Sequence, residues 1–87
     1  MPAGALHAMR DVQGAVRSYL LLHPQAADTL VGIHQWWLPD FLRSASIELI
    51  KLALTDMVAR GELRCVALSD GSHLYALARP ANTNGTQ

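Results

Sequence analysis

The sequence predicts a small α+β domain with its helices first and a β-hairpin last. Three observations predict it. Ser46 to Arg60 is a strongly periodic apolar run closed by Gly61. The apolar period changes from helical to two immediately after Gly61. Asp70-Gly71 then separates two alternating runs, which is a hairpin signal.

The run at 46–60 is the longest and best marked. At about 100° per residue, Ile47, Ile50, Ala53, Leu54, Met57 and Val58 gather on one stripe. Ser46 is the expected N-cap, and Glu48 lies where the helix dipole favours negative charge. Arg60 falls in the last turn, and Gly61 can take the left-handed conformation that closes a helix. The other face carries Glu48, Lys51, Leu52, Thr55 and Ala59, with Leu49 at the margin.

Upstream, Leu6, Met9, Val12, Val16, Tyr19 and Leu20 share a face, predicting a first helix from Leu6 or Arg10 to Leu22. Residues 1–5 are expected to fray. His23-Pro24 ends that helix, because the residue before proline is pushed out of the helical region. Residues 25–27 can be extended. Asp28 is the expected N-cap of a second helix over 29–38, with Leu30, Ile33 and Trp37 on one face and Pro39 as its stop. Two adjacent tryptophans on a helix point about 100° apart. Trp37 is therefore assigned to the core and Trp36 to the edge. Phe41 and Leu42 are expected to fold back onto the core as a helical turn.

Downstream, a two-residue Asp70-Gly71 turn would put Tyr75 opposite Val66. A three-residue loop with Gly71 in a bulge would put Tyr75 opposite Cys65 and Leu77 opposite Leu63. The second is preferred, because it collects Leu63, Cys65, Tyr75 and Leu77 on one buried face and leaves Val66, Leu68 and Leu74 on the other. Arg79-Pro80 ends the strand. Residues 1–79 thus form one domain, and 80–87 a disordered tail.

Composition narrows the function. The chain has 87 residues, 51% apolar and only 16% charged, with seven basic and seven acidic side chains. A nucleic-acid binder usually carries a basic excess, and none exists here overall. Many leucines with few charges suggest apolar surface covered by a protein partner or a second copy. Cys65 is the single cysteine, so no intrachain disulfide can form. No signal peptide or membrane span is legible, and a cytoplasmic location follows as the expectation. His7, His23, His34 and His73 lack metal-ligand spacing, no glycine-rich phosphate loop occurs, and Asp56 and Glu62 are read as separated and solvated. A cofactor-free protein that is not an enzyme is expected, with Cys65 as a buried structural thiol.

Ala53-Leu54, Met57, Gly61 and Leu63 resemble the A-L-x-x-L-x-x-x-G-x-L run of winged helix-turn-helix regulators. In that run the third helix ends at a glycine and the chain enters the wing. Asp70-Gly71 and Leu74-Tyr75-Ala76-Leu77 resemble the wing tip and its return strand. The resemblance spans about residues 6–79 and is specific at the level of the superfamily. It implies a three-helix winged helix-turn-helix with a C-terminal two-stranded wing, acting as a DNA-binding transcriptional regulator; because one module carries so few cations, a dimer is expected, two tethered half-sites gaining by avidity. By position it implies groove contacts from Ile47, Glu48, Lys51, Leu52 and Thr55, phosphate contacts from Arg43, Ser44 and Ser46, and wing contacts from Arg64, Ser69, Ser72, His73 and Arg79. The residues depart from the DNA-reading pattern: the third helix offers one lysine beside a glutamate, with Leu49 and Leu52 expected exposed. The alternative is a protein-interaction or assembly module that does not read DNA, using Trp36, Leu49, Leu52, Val66, Leu68 and Leu74.

Overall fold

The structure, a computed structural model, describes residues 3–78. Helix α1 (Ala3–Leu22) leads into a short strand β1 (Ala27–Asp28). Next comes α2, an α-helical turn over Leu30–Gly32 that widens into a π-helical turn over Ile33–Trp37. A 3₁₀ turn (Asp40–Leu42) precedes α3 (Ile47–Ala59). Strands β2 (Leu63–Ala67) and β3 (His73–Leu77) complete an antiparallel sheet of order β1-β3-β2. The architecture is α+β, three helices with a three-stranded antiparallel sheet. Among the described residues, no helix is long and apolar enough to cross a membrane.

Both ends of α3 form as their residues dictate. Ser46 is extended and its Oγ accepts from Leu49 N–H at 3.1 Å, satisfying one of the free donors of the first turn. At the far end, Gly61 N–H reaches Val58 O at 3.0 Å and Glu62 N–H reaches Met57 O at 2.9 Å. This paired closure needs a left-handed residue, which Gly61 supplies at φ +81°. Gly71, at φ +92°, does the same for the hairpin tip.

The inner stripe of α3 buries Ile50, Ala53, Leu54 and Met57. It packs against Val12, Val16 and Leu20 of α1, and against Ile33, Trp37, Leu38, Leu42, Leu63 and Tyr75. Fully burying one such aliphatic side chain contributes about 1.5–3 kcal/mol. Trp37 stacks on Tyr19 with ring centroids 4.7 Å apart and planes 10° apart, tying α2 to α1. Gln13 is the one buried polar side chain among the described residues; its Nε2 donates to Ala53 O and Asp56 Oδ2, each at 3.0 Å.

The hairpin has the expected register, with Cys65 opposite Tyr75 and Leu63 opposite Leu77. Leu68 N–H donates to Ser72 O at 2.8 Å, Gly71 N–H to Leu68 O at 3.0 Å, and Asp70 accepts from both Ser72 N–H and Ser72 Oγ. Those donors hold the Asp70 carboxyl below the usual carboxylate range.

Several expectations are corrected. Helix α1 begins at Ala3, earlier than Leu6. The cap of α2 is Thr29, whose Oγ1 accepts from Gly32 N–H at 3.2 Å; Asp28 belongs to β1 and accepts from Thr29 N–H instead. The sheet has three strands where a two-stranded hairpin was expected, because β1 pairs with β3 (Ala27 with Ala76, Asp28 with Tyr75). Cys65 is exposed rather than buried, and Leu77 is 39% exposed. Only part of the hairpin is covered: β3 is paired on both sides, whereas β2 is an edge. Thus Leu63, next to the end of α3, and Tyr75, on the central strand, are the residues of that face that bury. Phe41 is 75% exposed while its neighbour Leu42 is buried, since a single 3₁₀ turn brings only one of two adjacent side chains onto the core. Ile47, expected in the stripe, sits at its solvent margin. Asp56 and Glu62 are partly buried rather than solvated and are ion-paired, to Arg60 and Arg17 respectively. Arg79 and the tail 80–87 lie outside the described residues.

Candidate functional site

The outer face of α3 has the composition its sequence predicts. Glu48, Lys51 and Thr55 are exposed, and Leu52 stands half-exposed between them at 50%. Packing of Leu54 and Ala53 on α1 leaves these positions no inward alternative. Leu49 is half-buried at the margin.

One of those residues meets other elements. Lys51 shares a cleft of about 230 Å³ with Thr29, Leu30 and Val31 of the α2 entry and with Ser72, His73 and Tyr75 of β3 and the preceding turn. The capping of α2 by Thr29, the pairing of β1 with β3 and the outward aim of Lys51 together build this junction. It offers the Lys51 ammonium, the His73 imidazole and the Thr29 hydroxyl around a space open to solvent, a set suited to a phosphate or another anionic group, while Ser72 Oγ is committed to Asp70. At its floor, burial first and the neighbouring Cys65 thiol second push the Tyr75 phenol above its usual range. Among the described residues no group of three His, Cys, Asp or Glu side chains could hold a metal ion. Cys65 lies opposite Tyr75, so a Cys65–His73 pair does not form; His73 lies opposite Ala67.

The remaining predicted phosphate and wing contacts are dispersed. Arg43 pairs with Asp40 at 3.1 Å, and its backbone carbonyl lies 2.7 Å from His34 Nε2. Ser44 is exposed, and the Ser46 acceptor is used within the helix cap. Arg64 and Ser69 are exposed on β2 and the tip, outside the Lys51 cleft. Two further arginines are engaged elsewhere. Arg17 grips Glu62 through Nε and Nη2 at 2.5 and 3.0 Å, and Arg60 pairs with Asp56 at 2.9 Å. Arg17 and its hydrogen bonds hold the Glu62 carboxyl below its usual range. Of the interaction-surface candidates, Leu52, Val66 and Leu68 are exposed by 37–50%, and Leu74 is half-buried.

A second surface is apolar and shares no residue with α3 or the hairpin. Its cleft of about 530 Å³ lies between α1 and the segment 36–42, with Asp11, Gly14 and Ser18 along one wall and Trp36 and Phe41 along the other. Trp36 is 70%, Phe41 75% and Leu22 79% exposed. Sequence reasoning placed Trp36 at an edge but sent Phe41 inward, so it missed that the two lie on one surface. Thr29 and Val31 of the polar cleft were also missed. Their signal was the extended segment 25–28, which seats the α2 entry against β3 once it is paired. No protein-family model matches this chain, and comparison with curated proteins and with solved structures returns no match.

Proposed function

We propose that this chain is a winged-helix protein that binds duplex DNA through α3 and the hairpin. The winged-helix assignment is supported by the element order. Three helices run in succession, a short strand precedes the second, and a hairpin follows the third with its return strand paired to that short strand. The observation that carries the DNA reading is the convergence of Lys51, Thr29 and His73 at one cleft between the third helix, the second-helix entry and the hairpin. Phosphate contacts fix register on a duplex, and this is the cleft where such an oxygen finds donors from three elements at once. Exposed Glu48 and Thr55 then face the base edges, and Arg64 supplies a backbone contact from β2.

Zero net charge makes the predicted complex weak and gives it a shallow salt dependence. With Lys51 and Arg64 engaged and Arg43 paired to Asp40, each module neutralises about two phosphates, so the slope of log K against log salt is about −2. Titrating a labelled duplex at about 50 and 200 mM salt tests this. Lys51→Ala reduces the slope by about one. Absence of binding at about 50 mM salt, or affinity indifferent to salt, rejects the proposal.

One observation favours a second reading, a protein-assembly module. Leu52, Val66 and Leu68 are all exposed on α3 and the hairpin, while Arg17, Arg43 and Arg60 are each held by a carboxylate. On that reading Leu52→Glu abolishes partner capture and leaves the fold intact.

A further inference from the structure

We infer that the apolar surface formed by Trp36, Phe41 and Leu22 is a self-association face, and that its occupant is a second copy of this chain. The display begins at the π-helical turn. Its widened path puts Ile33 and Trp37 into the core and stands Trp36 outward at 70% exposure. Pro39 then forces Leu38 into an extended conformation (φ −95°, ψ 140°), and the following 3₁₀ turn presents Phe41 outward as well. Two large aromatics are thereby displayed on the rim of a cleft whose opposite wall contains Gly14 and Ser18. Nothing within 4 Å would meet even a Cβ on Gly14, so that wall is low and open.

The surface therefore carries both a projection and a recess. A two-fold interface uses the same patch on both subunits, so it requires this combination. Trp36 of one copy fits the recess of the other, and the reverse holds by symmetry. The chemistry matches: a buried indole N–H needs an acceptor, and Asp11 lies on the recess wall. Among the described residues Asp11 is the only formally charged one lining the cleft, so little charge has to be desolvated. The zero net charge of the chain also leaves two copies without overall repulsion. The area is adequate. An aromatic side chain buries about 150–250 Å². Two of them with Leu22 and the recess account for a large part of the roughly 800 Å² per partner in a standard interface. Because no residue of α3 or the hairpin lines this cleft, the association leaves the proposed DNA-binding side free and does not depend on it.

Sedimentation velocity of the full chain without DNA, from about 1 to 300 μM, tests the inference. The expected result is a shift from the 9.5 kDa monomer toward twice that mass with rising concentration. Trp36→Ser and Phe41→Ser each weaken association by at least about tenfold, and Leu52→Ser leaves it unchanged. Near-ultraviolet circular dichroism of the Tyr19–Trp37 stack checks that each variant is folded. A wild type that stays monomeric at every concentration overturns the inference, including the case where Trp36 instead captures a different protein. Unchanged association in both folded aromatic variants overturns it too, as does loss of association in Leu52→Ser alone.

Discussion

The two open sides of this domain differ in how their exposed residues are held. On the side of α3 and the hairpin, the polar cleft is assembled from three elements, each fixed by a local hydrogen-bond device. Ser46 caps α3, Thr29 caps α2, and Asp70 closes the tip through Ser72. On the side of α1 and segment 36–42, the display of Trp36 and Phe41 comes from backbone irregularity, a π turn followed by a 3₁₀ turn around Pro39. The polar side is built to place donors; the apolar side is built to keep large side chains out of the core. One small core can orient both, because Trp37 and Leu42 anchor the very segment that presents Trp36 and Phe41.

The adjacent tryptophans test that contrast with the largest expected effect. Trp37→Ala removes a buried ring stacked on Tyr19 and is expected to cost about 3–5 kcal/mol. Trp36→Ala, measured at micromolar concentration or below, is expected to change monomer stability by less than about 0.5 kcal/mol. Urea unfolding of both variants checks this; similar losses would mean that Trp36 belongs to the core after all. Next comes Gln13, whose side chain crosses from α1 to the Ala53 carbonyl and to Asp56. Gln13→Ala removes two hydrogen bonds, each worth about 0.5–1.5 kcal/mol net, and is expected to cost about 1–3 kcal/mol in the same measurement. Thr29→Ala removes the α2 cap and is expected to cost about 1 kcal/mol. It should also loosen the polar cleft, seen as faster amide exchange at Gly32, and leave the apolar side untouched.

The smallest effect belongs to the Arg17–Glu62 pair, which is partly exposed and so is worth only about 0.2–1 kcal/mol. Its sign with pH is definite. The folded-state carboxyl is held below its ordinary value, so the stabilisation is fully present above about pH 4.3–5 and is lost as pH falls through the lowered value. Glu62→Gln is therefore expected to be less stable than wild type near neutrality. The gap closes in acid, as pH-dependent thermal melts would record.

Much of this architecture was legible in the residues, and the reasons separate what was from what was not. α3 was readable because cap, stripe and closing glycine agree on one element. The hairpin register was readable because a one-residue slip would turn its whole apolar set around. What escaped is tertiary. Ala27–Asp28 is too short to signal a strand, and becomes one only because β3 offers a free edge. Without β1, Thr29 has no reason to stand beside Ser72 and His73, so the polar cleft was only partly visible, as Lys51, Ser72 and His73. The burial of Cys65 was overestimated because alternation tells which face a residue takes, not whether anything covers that face. Phe41 was misplaced because a proline followed by one 3₁₀ turn has no periodicity to read.

The most direct test of the account follows backbone amide and indole signals by nuclear magnetic resonance while a short duplex is added at low salt. The account predicts that resonances of Thr29, Lys51, Thr55, Arg64, Ser72 and His73 move together and saturably, while the Trp36 indole N–H stays in place. Stationary resonances throughout, or movement centred on Trp36 and Phe41 with the Lys51 cleft silent, would contradict it.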